Sequence, residues 1–239
     1  MFENKRVSVV IPTYNEEGSI RACIDAFFAT GFVDEVVAVD NNARGNTAEE
    51  IKKTKAVHVR ETEHQGYGHA IMRGLKEATG DIIVVVEGDG TYEERDIEKF
   101  LLYSREFDVV FGSRTSRATV HGNAFMPESV RIGNWAVAKF LEFLHNGTVI
   151  TDVGCTYRLL SRSALERIKP HFSRSDGGGR FSPEMMIWIF RSGIKAVEIP
   201  VMYKPRVGES MYTGSVWKAA ILGLRMIPLI VYYRLIKLI

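Results

Sequence analysis

The sequence has few cysteines and little net charge, and each shortage excludes a class of protein. Its 239 residues include two cysteines, Cys23 and Cys155, which lie far apart and lack the close spacing of zinc sites or disulfide-rich domains. We therefore expect both to be buried thiols in a reducing compartment. The formal net charge of +2 gives no reason to expect nucleic acid as a partner.

Patterns for export or for crossing a membrane are also missing. The first residues lead directly into a strand-like run, without the apolar region and small-residue cleavage site of a signal peptide. Residues 219–239 are apolar, but Arg225, Arg234 and Lys237 interrupt them. The longest uncharged run, residues 226–233, is shorter than the about 20 apolar residues that a bilayer requires. We expect a cytoplasmic protein.

No internal repeat, low-complexity segment or long linker divides the chain. Its hydrophobic fraction of 46% is typical of a packed globular core. We predict one domain over residues 1–212 and a helical extension over residues 213–239. The C-terminal part is basic, because eight Lys or Arg and two Glu follow from Arg191 onward, whereas 23 basic and 27 acidic residues precede it.

What the sequence does contain is a regular alternation of short β-branched runs and helix-like segments. The runs are nearly apolar throughout, which is typical of strands buried on both faces of a parallel sheet. Their alternation with helices predicts an open α/β sheet flanked by helices. Strands are predicted at residues 7–11, 36–39, 56–60, 82–86 and 108–112, and helices at 16–29, 45–54, 67–79 and 129–144.

A pair of carboxylates follows the strand predicted at residues 82–86. Glu87 and Asp89 are separated by one glycine, and alternate residues of an extended segment point the same way, so both acids can face one ion. Mg²⁺ and Mn²⁺ prefer oxygen ligands and share them with substrate phosphates. The segment therefore predicts a metal site at the carboxyl edge of the sheet, and the alternative is an ordinary acidic turn.

Two more polar turns follow neighbouring strands. The first contains Tyr14 beside Glu16, and the second begins with Asp40 and Asn41. Their side chains suit a nucleoside, since an aromatic ring and hydrogen-bonding groups can bracket a base and a ribose. The alternative reading is that both turns merely begin the next helix. Three such turns after three adjacent strands favour one ligand site.

The ordered set of these motifs resembles the family-2 glycosyltransferases of GT-A fold, and within them the dolichyl-phosphate mannose synthase-like branch. The resemblance runs from about residue 6 to about residue 212. The matching segments, in chain order, are Val9-Val-Ile-Pro-Thr-Tyr-Asn-Glu16, Asp40-Asn41, Gly66-Tyr-Gly-His-Ala70, Ala78-Thr-Gly-Asp81, Glu87-Gly-Asp89, Gly112-Ser-Arg114, the helix with Arg131, Thr151-Asp152 with Tyr157-Arg158, and Arg206-Val-Gly-Glu-Ser210.

The resemblance implies a Rossmann-like, mostly parallel GT-A sheet and a role for each matched residue. Glu87 and Asp89 would hold Mg²⁺ or Mn²⁺. Arg114 and Arg131 would bind the phosphate of the acceptor, and Arg206 would clamp donor or acceptor phosphates, since a guanidinium fork matches phosphate oxygens. The nucleoside and diphosphate of the donor would be bound by Pro12, Tyr14, Glu16, Ala38, Asp40 and Gly88.

The implied reaction moves a sugar, with inversion, from GDP-mannose or a UDP-sugar to a polyprenyl phosphate. A lipid phosphate is ionised near neutral pH, so it needs alignment and no general base. A second hypothesis is transfer to a saccharide or other hydroxyl acceptor, which requires a base, and Asp152 is the candidate. The alternative role of Asp152 is structural, either holding a loop or pairing with Arg158. The sequence leaves the sugar and the base open.

Three positions depart from the family pattern. Glu87 stands where the metal motif of the family has Asp, and Asn41 stands where the family usually has a second acid. Met211 stands directly after Gly-Glu-Ser210, where the family often has a Lys. A third hypothesis is therefore a nucleotide-sugar-binding protein with impaired catalysis.

The basic C-terminal stretch predicts either a helix packed on the domain or an interfacial helix pair interrupted at Pro228. Aromatic residues such as Trp217 and Tyr232 alternate there with Lys and Arg. Because a polyprenyl lipid stays in the bilayer, the implied acceptor favours peripheral association with the cytoplasmic face of a membrane.

Overall fold

A computed structural model of the chain describes residues 1–175, 177–208 and 215–236. Within these ranges the chain forms one seven-stranded sheet. Its strands are β1 (Val7–Thr13), β2 (Glu35–Asp40), β3 (Val57–Arg60), β4 (Ile82–Val85), β5 (Val109–Ser113), β6 (Arg158–Ser161) and β7 (Ala196–Pro200). The α-helices are α1 (Ile20–Ala29), α2 (Thr47–Lys52), α3 (Tyr67–Glu77), α4 (Ile97–Tyr103), α5 (Glu128–His145), α6 (Arg162–Ile168), α7 (Phe181–Arg191) and α8 (Val216–Leu235).

The sheet has the order β3-β2-β1-β4-β6-β5-β7 and is parallel except at β6. β1 pairs with β2 and β4 in parallel, whereas β6 runs antiparallel to both β4 and β5. The carboxyl ends of β1, β2 and β4 therefore meet at one edge, as expected for an open α/β sheet. The predicted fold class is confirmed.

Helices cover both faces of the sheet. Successive strand residues point to opposite faces, so Val9 packs in a core with α1 and α4, and its neighbour Val10 packs in a core with α3, α5, α6, α7 and α8. Both valines are fully buried. Burial on both sides explains why the inner strands are continuous runs of valine and isoleucine.

The strongly apolar strands were predictable, and β6 and β7 were not. β6 begins at Arg158 and has two apolar residues, and β7 carries Glu198 in its middle. Neither segment shows the apolar run that identified the other strands. Arg158 is nevertheless buried, because its guanidinium donates to the carbonyl oxygens of Cys155, Ser182 and Val153.

The expectation of a helix pair interrupted at Pro228 is wrong, because α8 continues through this proline. Proline removes one helical hydrogen bond. Apolar contacts on both sides compensate: Met226 precedes Pro228 and Leu229 and Ile230 follow it, and all three are buried in the core shared with α5 and α7. One face of α8 is therefore packed on the domain, whereas its other face, which bears several large apolar side chains, is exposed.

α8 also changes the expectation about membranes. It is 20 residues long and contains an 18-residue window with a mean hydropathy of 1.4, so it is long and apolar enough to cross a bilayer, although its longest uncharged run is short. Core helices of water-soluble proteins can have the same length and apolar composition. The predicted boundary between residues 212 and 213, Met211 and Lys237 lie outside the described residues.

Candidate active site

The carboxylates predicted to bind metal lie directly after β4. Asp89 is fully buried, and its Oδ1 accepts hydrogen bonds from the backbone N (3.0 Å) and Oγ1 (2.6 Å) of Thr91. Its Oδ2 accepts from Nη1 of Arg206 at 2.7 Å. Burial, together with the charge of Asp89, raises the pKa of Glu87 to about 7. The two acids thus form a pocket of concentrated negative charge.

Glu16 joins this carboxylate pair. Its Oε1 lies 3.2 Å from Nη2 of Arg206, and its Oε2 is buried with no hydrogen-bond partner among the described residues. Burial and then the charge of Asp89 raise the pKa of Glu16 well above its usual range. A side chain at Gly88 would lie 3.1 Å from Oε2 of Glu16 and 2.7 Å from Cδ1 of Ile20. The absence of a side chain at Gly88 therefore lets Glu16 and Ile20 pack against the backbone of this loop. These neighbours fill the space, so Gly88 does not leave room for a ligand there.

The first nucleoside turn lies where the sequence places it, and the second does so in part. Pro12, Tyr14 and Glu16 line the cleft that contains Glu87 and Asp89. Ala38 does not line this cleft, because it is an inward residue of β2 and is fully buried in the core with α1.

Asp40 is likewise turned away from the cleft. Its Oδ1 accepts a hydrogen bond from the backbone N of Ala43 at 2.8 Å, and its Oδ2 lies 3.6 Å from Nε of Arg60. Asp40 therefore shapes the turn, as in the alternative reading. The cleft is lined instead by Asn41, which follows Asp40, and by Gln65, which lies in the loop after β3.

Arg114 and Asp152 form a buried bidentate ion pair. Nε of Arg114 donates to Oδ2 of Asp152 at 2.8 Å, Nη2 donates to Oδ1 at 3.0 Å, and the backbone N of Arg114 also donates to Oδ2. Burial raises the pKa of Asp152, but the charge and hydrogen bonds of Arg114 outweigh it, so this pKa lies below its ordinary value. A carboxylate with a lowered pKa is a weak base, and both of its oxygens are engaged. The structural partner of Asp152 is Arg114, and the predicted pair with Arg158 is wrong.

Glu198 of β7 holds the loop that carries Asp152. Its carboxylate accepts hydrogen bonds from the backbone N of Thr151 at 2.8 and 2.9 Å, from Oγ1 of Thr151 at 2.7 Å and from the backbone N of Asp152 at 3.0 Å.

Arg114 has an aromatic contact in addition to its ion pair. Its guanidinium stacks on the ring of Tyr203, 5.2 Å from the ring centroid. Arg114 is therefore a fixed cation at the wall of the cleft.

Arg131 lies beside this cleft. Its guanidinium pairs with Glu128, one turn earlier in α5, and Nη1 donates to the backbone oxygen of Thr115 at 3.5 Å. Together with Ile132 and Trp135 it lines a separate small pocket of about 230 Å³. The structure thus brings Arg114, and not Arg131, to the cleft that holds the carboxylates.

The main cleft is long, with a volume of about 1590 Å³, more than the 300–1,000 Å³ of usual small-molecule sites. From the carboxylates and Arg114 it extends between α5 and α8. We call this apolar part the α5–α8 groove. Its lining includes Val130, Gly133, Val137, Ala219, Ala220, Gly223 and Ile227.

Comparison of the sequence with models of known protein families assigns the chain to a family. The model described as Glycosyl transferase family 2 matches residues 8–169, which include β1 to β6 and the carboxylate loop. The chain belongs to glycosyltransferase family 2. The predicted family is confirmed, and the chain is a glycosyltransferase.

Curated relatives of this glycosyltransferase include lipid-phosphate enzymes. It is 33% identical over 219 residues to a dolichyl-phosphate hexose transferase of Haloferax volcanii, and the match covers 90% of each chain. It is 27% identical over 229 residues to an undecaprenyl-phosphate mannosyltransferase of Micrococcus luteus, covering 91% of this chain and 92% of the relative. It is also 32% identical to the low-salt glycan biosynthesis hexosyltransferase Agl6 of Haloferax volcanii, but spans 49% of that protein.

Solved structures show the same fold. Glucosyl-3-phosphoglycerate synthase from Mycobacterium tuberculosis, in complex with Mn²⁺, UDP and glucosyl-3-phosphoglycerate, superposes with a TM-score of 0.73. The match covers 98% of this glycosyltransferase and 81% of that chain, at 18% identity. The GT-A fold that the sequence motifs implied is confirmed.

The carboxylate site of the glycosyltransferase has the donor set that Mg²⁺ or Mn²⁺ requires. Among residues 1–175, 177–208 and 215–236, no group of three or more His, Cys, Asp or Glu is arranged to hold a metal alone. These ions commonly take one or two carboxylates and share the remaining positions with water and substrate phosphates. Glu87 and Asp89 would supply those carboxylates, and Oε2 of Glu16, which has no hydrogen-bond partner among the described residues, would be a further oxygen in the same cleft.

Sequence reasoning missed two parts of the site. Glu198 supports the loop that carries Asp152 from a strand that the sequence did not reveal, and no local signal marks it. The α5–α8 groove did leave a signal, because small residues recur in both helices at Gly133, Ala219 and Gly223. A side chain at Gly133 would meet nothing within 4 Å, so it faces open space.

Proposed function

We propose that this glycosyltransferase moves a sugar from a nucleotide-sugar donor, with a divalent metal ion, to the phosphate of a polyprenyl lipid. The observation that carries the proposal is the single cleft that joins a carboxylate end, a fixed arginine and the apolar α5–α8 groove. A polyprenyl phosphate needs all three, because its head group is anionic and its tail is apolar. The similarity to the dolichyl-phosphate hexose transferase of Haloferax and the undecaprenyl-phosphate mannosyltransferase of Micrococcus supports the same acceptor class.

The donor binds at the carboxylate end. Tyr14 and Asn41 line the part of the cleft that follows β1 and β2, where a nucleoside fits beyond the strand ends. Glu87 and Asp89 hold the metal ion together with the donor diphosphate. The ion, when bound, offsets the negative charge that develops on the nucleoside diphosphate as it leaves.

The acceptor phosphate binds at Arg114. Asp152 keeps this guanidinium oriented through Nε and Nη2, and the remaining N–H groups of Arg114, which lines the cleft, donate to the phosphate oxygens. An ionised phosphate oxygen attacks the anomeric carbon of the sugar, so that a new carbon–oxygen bond forms. The bond from that carbon to the donor diphosphate breaks, and the nucleoside diphosphate takes the electron pair. No proton has to be removed from the acceptor.

The outer surface beside the groove supports association with a membrane surface. α5 exposes Ile132 and Trp135, and its Phe143 is 81% exposed. α8 exposes Trp217 and Leu224 to a similar extent. Apolar and aromatic side chains of this kind insert at the boundary of head groups and acyl chains, and nearby Lys and Arg favour an anionic cytoplasmic leaflet. We propose peripheral binding at the cytoplasmic face.

Transfer from labelled donors tests this function. The protein is incubated with Mg²⁺ or Mn²⁺, a polyprenyl phosphate in vesicles and, in turn, labelled GDP-mannose and labelled UDP-sugars. We expect label in the lipid phase with at least one donor. Label on an added saccharide hydroxyl, with none in the lipid phase, would overturn the lipid acceptor. Absence of any transfer or donor hydrolysis would favour the impaired nucleotide-sugar-binding protein.

A further inference from the structure

Arg206 occupies the place beside the carboxylates where a cation is required. Its Nη1 lies 2.7 Å from Oδ2 of Asp89, and its Nη2 lies 3.2 Å from Oε1 of Glu16. The next residue fixes the segment, because the backbone N of Val207 donates to the backbone oxygen of Asp89 at 3.0 Å. One guanidinium thus bridges the loop after β4, which carries Asp89, and the turn after β1, which carries Glu16.

The contacts of this guanidinium leave part of the site unused. Arg206 pairs with one oxygen of Asp89 and one oxygen of Glu16, and Glu87 lines the same cleft beside them. Oε2 of Glu16 and Nε of Arg206 are buried and, among the described residues, have no hydrogen-bond partner. Buried polar groups without partners are rare in folded proteins. The carboxylates are therefore arranged for a ligand that brings more charge and more contacts than Arg206 alone.

We propose that Arg206 is an exchangeable counter-ion: a divalent metal ion held by Glu87 and Asp89, with Glu16 beside them, would displace Arg206 from the carboxylates, and Arg206 would then bind the donor diphosphate. The inference rests on the proposed function, because it concerns the same donor site. Its consequence is selectivity: the site favours a metal ion that arrives with a nucleoside diphosphate over the same ion alone.

The selectivity follows from the partners available to the guanidinium. When a metal ion binds alone, Arg206 loses two carboxylate contacts and gains no anion in exchange. When the ion binds with a diphosphate, the guanidinium exchanges carboxylate oxygens for phosphate oxygens, which its planar fork fits equally well. Arg206 therefore opposes the first event and assists the second.

A change that removes the charge should have opposite effects on these two events. Arg206→Gln is expected to bind Mn²⁺ alone about tenfold more tightly than the unchanged protein, because the competing cation is gone. The same variant, saturated with Mn²⁺, is expected to bind UDP or GDP about tenfold more weakly. Arg206→Lys retains the charge, so its affinity for Mn²⁺ alone should stay near that of the unchanged protein.

Binding is measured without any acceptor, by titration calorimetry and by the loss of the free Mn²⁺ signal in electron paramagnetic resonance. Arg105→Gln is the control, since Arg105 also pairs with a carboxylate, that of Glu3 at 2.6 Å, but lies outside the cleft. It should change neither affinity. Thermal unfolding of each variant establishes that the protein tested is folded.

Two results separate the inference from the function on which it rests. If Arg206→Gln weakens, or leaves unchanged, the binding of Mn²⁺ alone, the exchange is overturned while the metal-dependent donor site stands. If the unchanged protein binds no Mn²⁺ with or without UDP or GDP, the metal-dependent donor site itself fails. Only opposite shifts of the two affinities support the exchange.

Discussion

Asp152→Asn separates the two roles that a carboxylate at this position can have. In the structure Asp152 orients Arg114 through two side-chain hydrogen bonds of 2.8 and 3.0 Å. If it were the general base of a hydroxyl transferase, its loss would lower kcat and remove the acidic limb of the pH profile, because that limb reports protonation of the base. As an orienting residue, its loss should mainly raise KM for the acceptor.

The size of the effect follows from burial. Asp152 is fully buried, and removing one partner of a buried ion pair costs about 3–5 kcal/mol. Asn keeps the shape and one acceptor oxygen, so we expect the lower limit, about 3 kcal/mol. For a chain of this size, that corresponds to a fall in Tm of roughly 6–12 °C. The acceptor KM should rise about tenfold, because a misplaced guanidinium loses a phosphate contact worth about 1.4 kcal/mol.

The pH dependence of stability gives an independent check. The pKa of Asp152 is lower in the folded state than in the unfolded chain, despite burial, because Arg114 stabilises its charge. Its contribution to stability is therefore complete above the unfolded value of about 4 and is lost as the pH falls through the folded value. Asp152→Asn should flatten this acid-side decline.

Initial rates with varied acceptor and saturating donor, together with thermal unfolding, provide the assay. Asp96→Asn is the matched control, since Asp96 is also buried and paired, with Lys99 at 2.7 Å, but lies outside the cleft. It should lower Tm and leave the acceptor KM unchanged. A fall in kcat with unchanged acceptor KM for Asp152→Asn, and loss of the acidic limb of the pH profile, would refute the orienting role.

Five further variants test the same geometry. Asp89→Asn should abolish most Mn²⁺-dependent nucleotide binding in calorimetry, whereas Glu87→Gln should weaken it and remove any titration near pH 7, because burial and Asp89 hold the pKa of Glu87 there. Glu198→Gln should raise the acceptor KM severalfold and leave the donor KM unchanged, since it holds the loop of the orienting carboxylate; equal changes in both would contradict this. Gly88→Ala should lower stability by about 1–3 kcal/mol in denaturant unfolding, because its side chain would overlap the core. Phe143→Ser should reduce binding to anionic vesicles about tenfold in a flotation assay, and unchanged flotation would exclude this surface.

Much of the fold was predictable because its inner strands are buried on both faces. Burial of that kind requires apolar β-branched residues, so β1, β2 and β4 are visible as runs of valine and isoleucine. The turns that follow them were predictable for the same reason, since a buried strand ends where polar residues begin. β7 escaped prediction because Glu198, a half-buried anchor for the neighbouring loop, interrupts its pattern.

The contacts of the site were less predictable, because they join residues far apart in the chain. Arg114 and Asp152 are 38 residues apart, and Arg206 lies 190 residues from Glu16. Motif order brought these residues to one site but did not assign their partners. The role of Asp40 was also ambiguous, since an Asx turn and a nucleoside contact require the same residue type at the same place.

The most direct test of the account compares two acceptors that differ only in the phosphate. Vesicles containing a polyprenyl phosphate or the corresponding polyprenol are incubated with the protein, Mn²⁺ and a labelled donor that binds. The account predicts label in the lipid phase with the phosphate alone, and loss of most of that transfer in Arg114→Gln. Equal transfer to the polyprenol, or undiminished transfer by Arg114→Gln, would contradict it.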